Sequence, residues 1–304
     1  MELEHIVGVG QFTRPIIEEL FASADEMRSG ARSNGSQRGR ILATLFYEPS
    51  TRTRLSFESA MLRLGGQVIA TENAREFSSA IKGETVEDTV RIVAGYADAI
   101  VIRHYEQGAA ERAAVVSPVP IINAGDGPGE HPTQALLDLY TIRAELGRID
   151  GLKVALVGDL RYGRAARSLA LMLGLTEDTE LIFVAPDAVA MGADVRATLR
   201  QRGVSFRDEP RLNAALAQAD VVYQTRIQRE RFATLREYDE VRDVYILDES
   251  SLAILGSDAV ILHPLPRVNE IAASVDNDPR AAYFRQAHNG VFLRMALLDA
   301  LIRR

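Results

Sequence analysis

Cysteine is absent from the whole chain. Disulfides, thiolate metal ligands and a thiol nucleophile are excluded together, which fits a reducing compartment. No apolar run approaches the ~20 residues needed to span a bilayer. The acidic start, Met1-Glu2-Leu3-Glu4-His5, lacks the basic segment and apolar core of a signal peptide. A cytoplasmic location is expected, or an organelle after loss of a peptide, with no membrane partner. Positive charge is also in short supply: 35 Lys and Arg against 42 Asp and Glu leave a net charge of −7. A long nucleic-acid groove is not expected on such a surface, and any local cluster of cations needs a local explanation. There is no short-period repeat and no low-complexity tract.

The 304 residues suit roughly two domains of about 100–200 residues each. Phe12 to Arg28 reads as an amphipathic helix with Ile16, Ile17, Leu20, Phe21 and Ala24 on one side. Strands are expected at Arg40–Phe46, Gln67–Ala70, Ala99–Ile102 and Val119–Ile122, with helices at Arg52–Leu64, Val86–Ala94 and Gly108–Val115 between them. Short apolar strands alternating with helices indicate a parallel sheet covered on both faces. A helix opens at His131-Pro132-Thr133-Gln134, with Pro132 at the favoured first position, and runs to about Leu146. The alternation then restarts, with strands expected at Lys153–Val157, Glu180–Ala185, Asp220–Tyr223, Val244–Leu247 and Asp258–His263. The last helix, about Ala281 to Arg304, is long enough to reach back. The fold class is α/β: two doubly wound parallel-sheet domains joined by helices. Residues 1–132 with about 286–304 form the first domain, 133–149 the connecting helix and 150–285 the second domain.

Ser50-Thr51-Arg52-Thr53-Arg54 stands between a buried strand and a helical pattern. Pro49 forces a turn and Ser50 suits a helix N-cap. A helix N-terminus presents unpaired N–H groups and the positive end of the macrodipole, so an oxyanion is favoured there. Two guanidinium forks and three hydroxyls add bidentate and charge-assisted donors. The plainer reading is a capped helix whose arginines point into water; the strand-to-helix position weighs against it.

Ligands of open parallel sheets bind beyond the carboxyl ends of strands. Six loops occupy such positions: Ser50–Arg54, Arg103-His104, Asn123–Gln134, Gly158–Arg164, Thr225–Gln228 and His263–Arg267. Five of the six carry an arginine, which predicts a pocket for more than one anionic group. Taken singly each has a plain alternative: His131 as a cap, Arg103-His104 as a surface dipeptide, the run Arg226 to Arg242 as a solvated face. Gly158 to Gly163 suggests a nucleotide-binding turn, but its spacing is not Gly-x-Gly-x-x-Gly, and Asp159, Arg161 and Arg164 stand where small residues should admit a pyrophosphate. Lys82 lies in a serine-rich loop beside Gly83, an arrangement suited to a lid that brings an ammonium to a ligand.

Together these loops resemble the catalytic chain of aspartate carbamoyltransferases. The matching residues are Ser50 to Arg54, Lys82-Gly83-Glu84-Thr85, Arg103-His104, His131 to Gln134, Gly158-Asp159-Leu160 with Tyr162-Gly163-Arg164, Thr225 to Gln228 and His263 to Arg267. Ornithine carbamoyltransferases are similar in the first half but typically carry a cysteine-containing loop where this chain has His263-Pro264-Leu265-Pro266-Arg267. The resemblance implies transfer of the carbamoyl group of carbamoyl phosphate to the amino group of L-aspartate, an early step of pyrimidine synthesis, with neither metal nor organic cofactor. A transcarbamylase for another amine and a catalytically silent scaffold are the alternatives.

Carried over position by position, the resemblance puts the phosphate on Ser50, Thr51, Arg52 and Thr53, with Arg103 also reaching it. It puts the carbonyl oxygen on Thr53, Arg103 and His131, and Gln134 near the carbamoyl nitrogen. Arg164 would hold the α-carboxylate of aspartate, and Arg226 with Gln228 its side-chain carboxylate. The carbonyls of Leu265 and Pro266, joined by a cis bond, would face the amine. Lys82 and a loop serine, Ser78, would come from the neighbouring subunit of a homotrimer, with Lys82 reaching both substrates; regulatory chains or a dihydroorotase are admitted as further partners. Tyr105, Asn269, Ile81 and His288 depart from the family's commonest residues, and none of them is a substrate ligand in that scheme.

Overall fold

The computed structural model describes residues 3–31, 35–74, 83–227, 229, 232 and 234–302. In chain order the main elements are α1 (Arg14–Ser29), β1 (Ile41–Phe46), α2 (Thr51–Arg63), β2 (Gln67–Glu72), α3 (Val86–Val93), β3 (Ala99–His104), α4 (Ala109–Val116), β4 (Ile121–Asp126) and α5 (Pro132–Leu146). There follow β5 (Lys153–Val157), α6 (Arg164–Leu173), β6 (Glu180–Val184), α7 (Ala193–Gln201), β7 (Ser205–Asp208), α8 (Leu212–Leu216), β8 (Val221–Gln224), α9 (Leu235–Asp239), α10 (Glu249–Ile254), β9 (Val260–Leu262) and α11 (Tyr283–Leu301). The chain divides into two compact units, Met1–Leu137 with His288–Arg304, and Asp138–Ala287. The divisions fall inside α5 and α11, so the C-terminal helix brings the chain back into the first unit. Among the described residues no helix is long and apolar enough to cross a membrane.

The first unit holds a four-stranded parallel sheet in the order β2-β1-β3-β4. Its central strands β1 and β3 are largely apolar because both of their faces are covered. Ala43, Leu45, Ile100 and Ile102 join a core with Val86 and Val90 of α3 and Ala110 and Ala113 of α4. The alternate residues Leu42, Phe46 and Val101 are also buried, and α2 packs on β1 and β2. At the sheet edge β2 is mostly exposed. The strand expected at Val119–Ile122 instead runs from Ile121 to Asp126, with a register shift between Ile102 and His104 that lets His104 pair with Asp126.

The second unit holds a five-stranded parallel sheet in the order β7-β6-β5-β8-β9. One face packs Ala155, Val157, Ile182 and Val222 against Leu216 and Leu255. Two sequence expectations change here. Val244–Leu247 is not a strand: only Leu247 forms a bridge, to Ile271, while the Tyr245 carbonyl accepts from Gln224 Nε2 at 3.2 Å and its hydroxyl donates to the Pro210 carbonyl at 2.9 Å. Tyr245 and Leu247 are buried, but beyond the bridge to Ile271 the segment's hydrogen bonds go to isolated partners rather than to a strand ladder. The fifth strand is Ser205–Asp208, which has no apolar run to betray it. It is held as an edge strand by Arg207 on Glu180 at 2.9 Å and by Arg196 paired with Asp208 at 2.6 and 2.9 Å.

Candidate active site

Where the winding of a parallel sheet reverses, two loops leave the carboxyl edge in opposite directions and open a crevice. In the first unit the reversal lies between β1 and β3, and in the second between β5 and β8. Arg52, Arg103, Arg164 and Arg226 follow or end the strands at these two points.

In the first unit β1 leads through Pro49 directly into α2. Ser50 is the N-cap, in extended backbone (φ −158°), and its side chain makes no capping hydrogen bond. The first-turn N–H groups of α2 therefore do not spend themselves on a cap hydroxyl. Thr53 is buried, and Thr51 and Arg52 are exposed. The two arginines of this turn divide their work. Arg54 Nη2 lies 2.9 Å from Glu72 Oε2 and Nη1 3.7 Å from Glu58 Oε1, which ties α2 to the end of β2. Arg52 forms no ion pair among the described residues. Although it is exposed by surface area, desolvation by the surrounding chain lowers its guanidinium pKa from the ordinary value; a guanidinium remains charged at neutral pH all the same.

Arg103 is the penultimate residue of β3, in register with Phe46 at the end of β1. Its Nη1 donates to the Ala124 carbonyl at 3.3 Å and its Nε lies 3.4 Å from Glu48 Oε2, so it links the loop after β1 to strand β4. His104 is different in kind. Buried between the rings of Tyr47 and Tyr105, with centroids at 4.6 and 4.3 Å, it accepts the Glu106 N–H on Nδ1 at 3.0 Å. Burial lowers its pKa, which keeps it neutral, a turn-former rather than an anion ligand.

His131 is buried immediately before α5, and its carbonyl accepts from the N–H groups of Gln134 at 3.0 Å and Ala135 at 3.1 Å. A residue that sequence reasoning passed over fixes this loop. Asp126 Oδ1 accepts from Glu130 N–H at 2.8 Å and Asn123 Nδ2 at 3.2 Å, and Oδ2 accepts from Gly108 N–H at 2.7 Å. The available signal was a lone carboxylate between two glycines, Gly125 and Gly127. At Gly127 (φ +51°) a Cβ would stand 2.4 Å from the Tyr105 carbonyl oxygen, so no side chain fits.

In the second unit the turn after β5 is closed by its own aspartate: buried Asp159 accepts from Arg161 N–H at 3.2 Å and Tyr162 N–H at 2.8 Å through Oδ1. This occupies the centre of the turn that sequence alone could liken to a nucleotide loop. Arg164 is the first residue of α6 and is half-buried. Across the reversal, Thr225 donates its N–H and hydroxyl to the Val157 carbonyl, both at 2.8 Å, which binds the end of β8 to β5 one residue before half-buried Arg226. Arg267 is not available to a ligand in the same way. It grips the carboxylate of Asp276 with both terminal nitrogens and donates to the Tyr283 hydroxyl at 3.1 Å. The Leu265–Pro266 bond is cis, and Leu265 has φ +48°. Ser78, Lys82 and Gln228 lie outside the described residues.

Two family models match nearly the full length. Residues 4–144 match the carbamoyl-phosphate-binding domain of aspartate/ornithine carbamoyltransferases, and residues 150–301 match the aspartate/ornithine-binding domain. The chain belongs to the aspartate/ornithine carbamoyltransferase family. It is 55% identical to chloroplastic aspartate carbamoyltransferase 1 of Pisum sativum over 99% of its own length and 79% of the relative's. Among solved structures it is similar to the catalytic subunit of M. jannaschii aspartate transcarbamoylase (TM-score 0.91, 46% identity, 99% and 98% of the two chains). It is also similar to the Trypanosoma cruzi aspartate transcarbamoylase in complex with carbamoyl phosphate and aspartate (TM-score 0.92, 40% identity, 98% and 96%). The first family model ends at residue 144, in the last turn of α5, and the second begins at residue 150.

Proposed function

We propose that this chain transfers the carbamoyl group of carbamoyl phosphate to the amino group of L-aspartate, giving N-carbamoyl-L-aspartate and phosphate. The observation that carries the reading is the pair of arginines at each sheet reversal, Arg52 with Arg103 in one unit and Arg164 with Arg226 in the other. Family membership supports it.

In this reading the first unit binds the electrophile. The phosphate sits on the N-terminal turn of α2, held by Ser50, Thr51, Arg52 and Thr53, and the carbonyl oxygen takes donors from Thr53, Arg103 and His131, with Gln134 at the carbamoyl nitrogen. The second unit binds the nucleophile: Arg164 takes the α-carboxylate and Arg226, with Gln228, the side-chain carboxylate. The carbonyls of Leu265 and Pro266 accept from the amine and hold its lone pair toward the carbamoyl carbon. As the C–N bond forms, the carbonyl π pair moves onto oxygen. Each donor aimed at that oxyanion contributes typically about 10²–10³ in rate. Collapse re-forms the carbonyl and breaks the C–O bond, whose electron pair leaves with phosphate; the phosphate then accepts the proton lost by the amine. Alignment and charge supply the acceleration.

The reading extends to assembly: Lys82 and Ser78 reach the substrates from a neighbouring copy in a homotrimer, which acts in the cytoplasm in pyrimidine synthesis. Regulatory chains or a dihydroorotase are compatible further partners. The test is to incubate the purified chain with carbonyl-labelled carbamoyl phosphate and either L-aspartate or L-ornithine. Labelled N-carbamoyl-L-aspartate is expected from the first mixture; label appearing only with ornithine, or with neither, would overturn the assignment.

A further inference from the structure

We infer that His263 is a positioning residue for this reaction, setting the Leu265 and Pro266 carbonyls through a fixed ring tautomer. The inference rests on the reading above, in which those carbonyls face the attacking amine.

His263 directly follows β9 and is only 2% exposed. Its Nδ1 accepts the backbone N–H of Leu265 at 2.7 Å. A ring nitrogen that accepts an N–H carries no proton, so the single proton of the neutral ring resides on Nε2, which lies 2.8 Å from Glu270 Oε1. Glu270 demands that same tautomer. Burial alone would raise its pKa, but the bond to His263 and the backbone N–H groups beside it outweigh burial and lower it, so it stays an acceptor. Its Oε2 accepts from Val268 N–H at 3.1 Å and Asn269 N–H at 3.2 Å. One buried imidazole thus joins the two ends of the Leu265–Glu270 loop.

The backbone that carries the ring is anchored to the core. The His263 backbone N–H donates to Gln286 Oε1 at 2.9 Å, Gln286 Nε2 donates to Asp138 Oδ1 at 2.6 Å, and the Tyr223 hydroxyl donates to Asp138 Oδ2 at 2.7 Å. Tyr223 belongs to β8, three residues before Arg226. The acceptor for Leu265 N–H is therefore fixed relative to the strand that presents the carboxylate-binding arginine. Leu265 needs such an acceptor, because a bulky residue does not hold φ +48° unaided.

Two substitutions separate positioning from bulk stability. His263→Asn keeps an acceptor at the place of Nδ1 and gives up the bond to Glu270; His263→Gln keeps a donor for Glu270 and gives up the acceptor. With both compared to the active parent chain, His263→Gln is expected to lower kcat on the order of 10²-fold with the KM for carbamoyl phosphate unchanged, while His263→Asn loses markedly less. Equal losses, or parental kcat in His263→Gln, would overturn the inference. A measurement without substitution stands beside it: a through-hydrogen-bond ¹⁵N–¹⁵N coupling between the Leu265 amide and a histidine ring nitrogen is expected, and a protonated His263 Nδ1 would refute it.

Discussion

Gly158 and Thr225 meet across the sheet reversal of the second unit: a Cβ on Gly158 would stand 2.2 Å from the Thr225 carbonyl oxygen and 2.7 Å from its hydroxyl. The φ of Gly158 is +107°, a value that L side chains rarely adopt. Gly158→Ala therefore pushes the ends of β5 and β8 apart. It is expected to cost at least about 1–3 kcal/mol of stability from the backbone alone, and to raise the KM for aspartate more than that for carbamoyl phosphate. Thermal unfolding and two-substrate kinetics check both parts.

Arg52 and Arg54 differ by two positions and by role. Arg52→Ala is expected to weaken inorganic phosphate binding by about 10- to 10²-fold, the worth of a charge-assisted bond of about 1.5–3 kcal/mol, with little change in melting temperature. Arg54 is committed to Glu72 and Glu58, and partly exposed pairs contribute under about 1 kcal/mol. Arg54→Ala should show a small stability loss and near-parental phosphate affinity. Calorimetric titration of both variants with phosphate decides.

His104 gives the first unit a pH dependence of known sign. Burial, the leading cause, lowers its folded pKa below the ordinary 6.5, with Glu106, Glu48 and Asp126 opposing and Arg112 assisting. Below pH 6.5 the unfolded chain takes up a proton that the folded chain resists. The stabilisation is whole above pH 6.5 and is lost as pH falls toward the folded pKa. His104→Asn, which keeps an acceptor for the Glu106 N–H, should flatten that part of the melting-temperature profile; an unchanged slope below pH 6.5 would contradict this.

The proposed sharing of sites between copies makes a mixing prediction. Lys82→Ala and Arg52→Ala proteins, each inactive alone, should regain activity when their subunits exchange, because some mixed trimers assemble an intact site. Verified mixed trimers with no recovered activity would refute the contribution of Lys82 from a neighbouring chain.

Much of this was legible in the sequence because parallel strands buried on both faces are near-continuous apolar runs, as Ile41–Phe46, broken only by Thr44, and Val154–Val157 are. The arginines were legible for a related reason: strand-to-helix junctions can be located by Pro49, Ser50 and Pro132, and anything following a parallel strand lies at its carboxyl edge. Ser205–Asp208 escaped because an edge strand needs no apolar run when Arg207 and Asp208 are held by partners far away in sequence. Val244–Leu247 misled because a buried Tyr245 and Leu247 can pack on a sheet without joining it. Asp126 was marked only by its flanking glycines, and Glu270 and the commitment of Arg267 to Asp276 by nothing, for the same reason: a carboxylate shows what it holds only when the chain has brought its partners near.

The central claim is that Arg52 holds the phosphate and Arg226 a carboxylate of one reaction complex. Calorimetric titration with N-(phosphonacetyl)-L-aspartate, which carries both groups in one molecule, tests it most directly in the parent chain, Arg52→Ala and Arg226→Ala. The account predicts tight binding by the parent and a loss of at least about tenfold in each variant, the equivalent of about 1.4 kcal/mol. Unaltered affinity in either variant would contradict it.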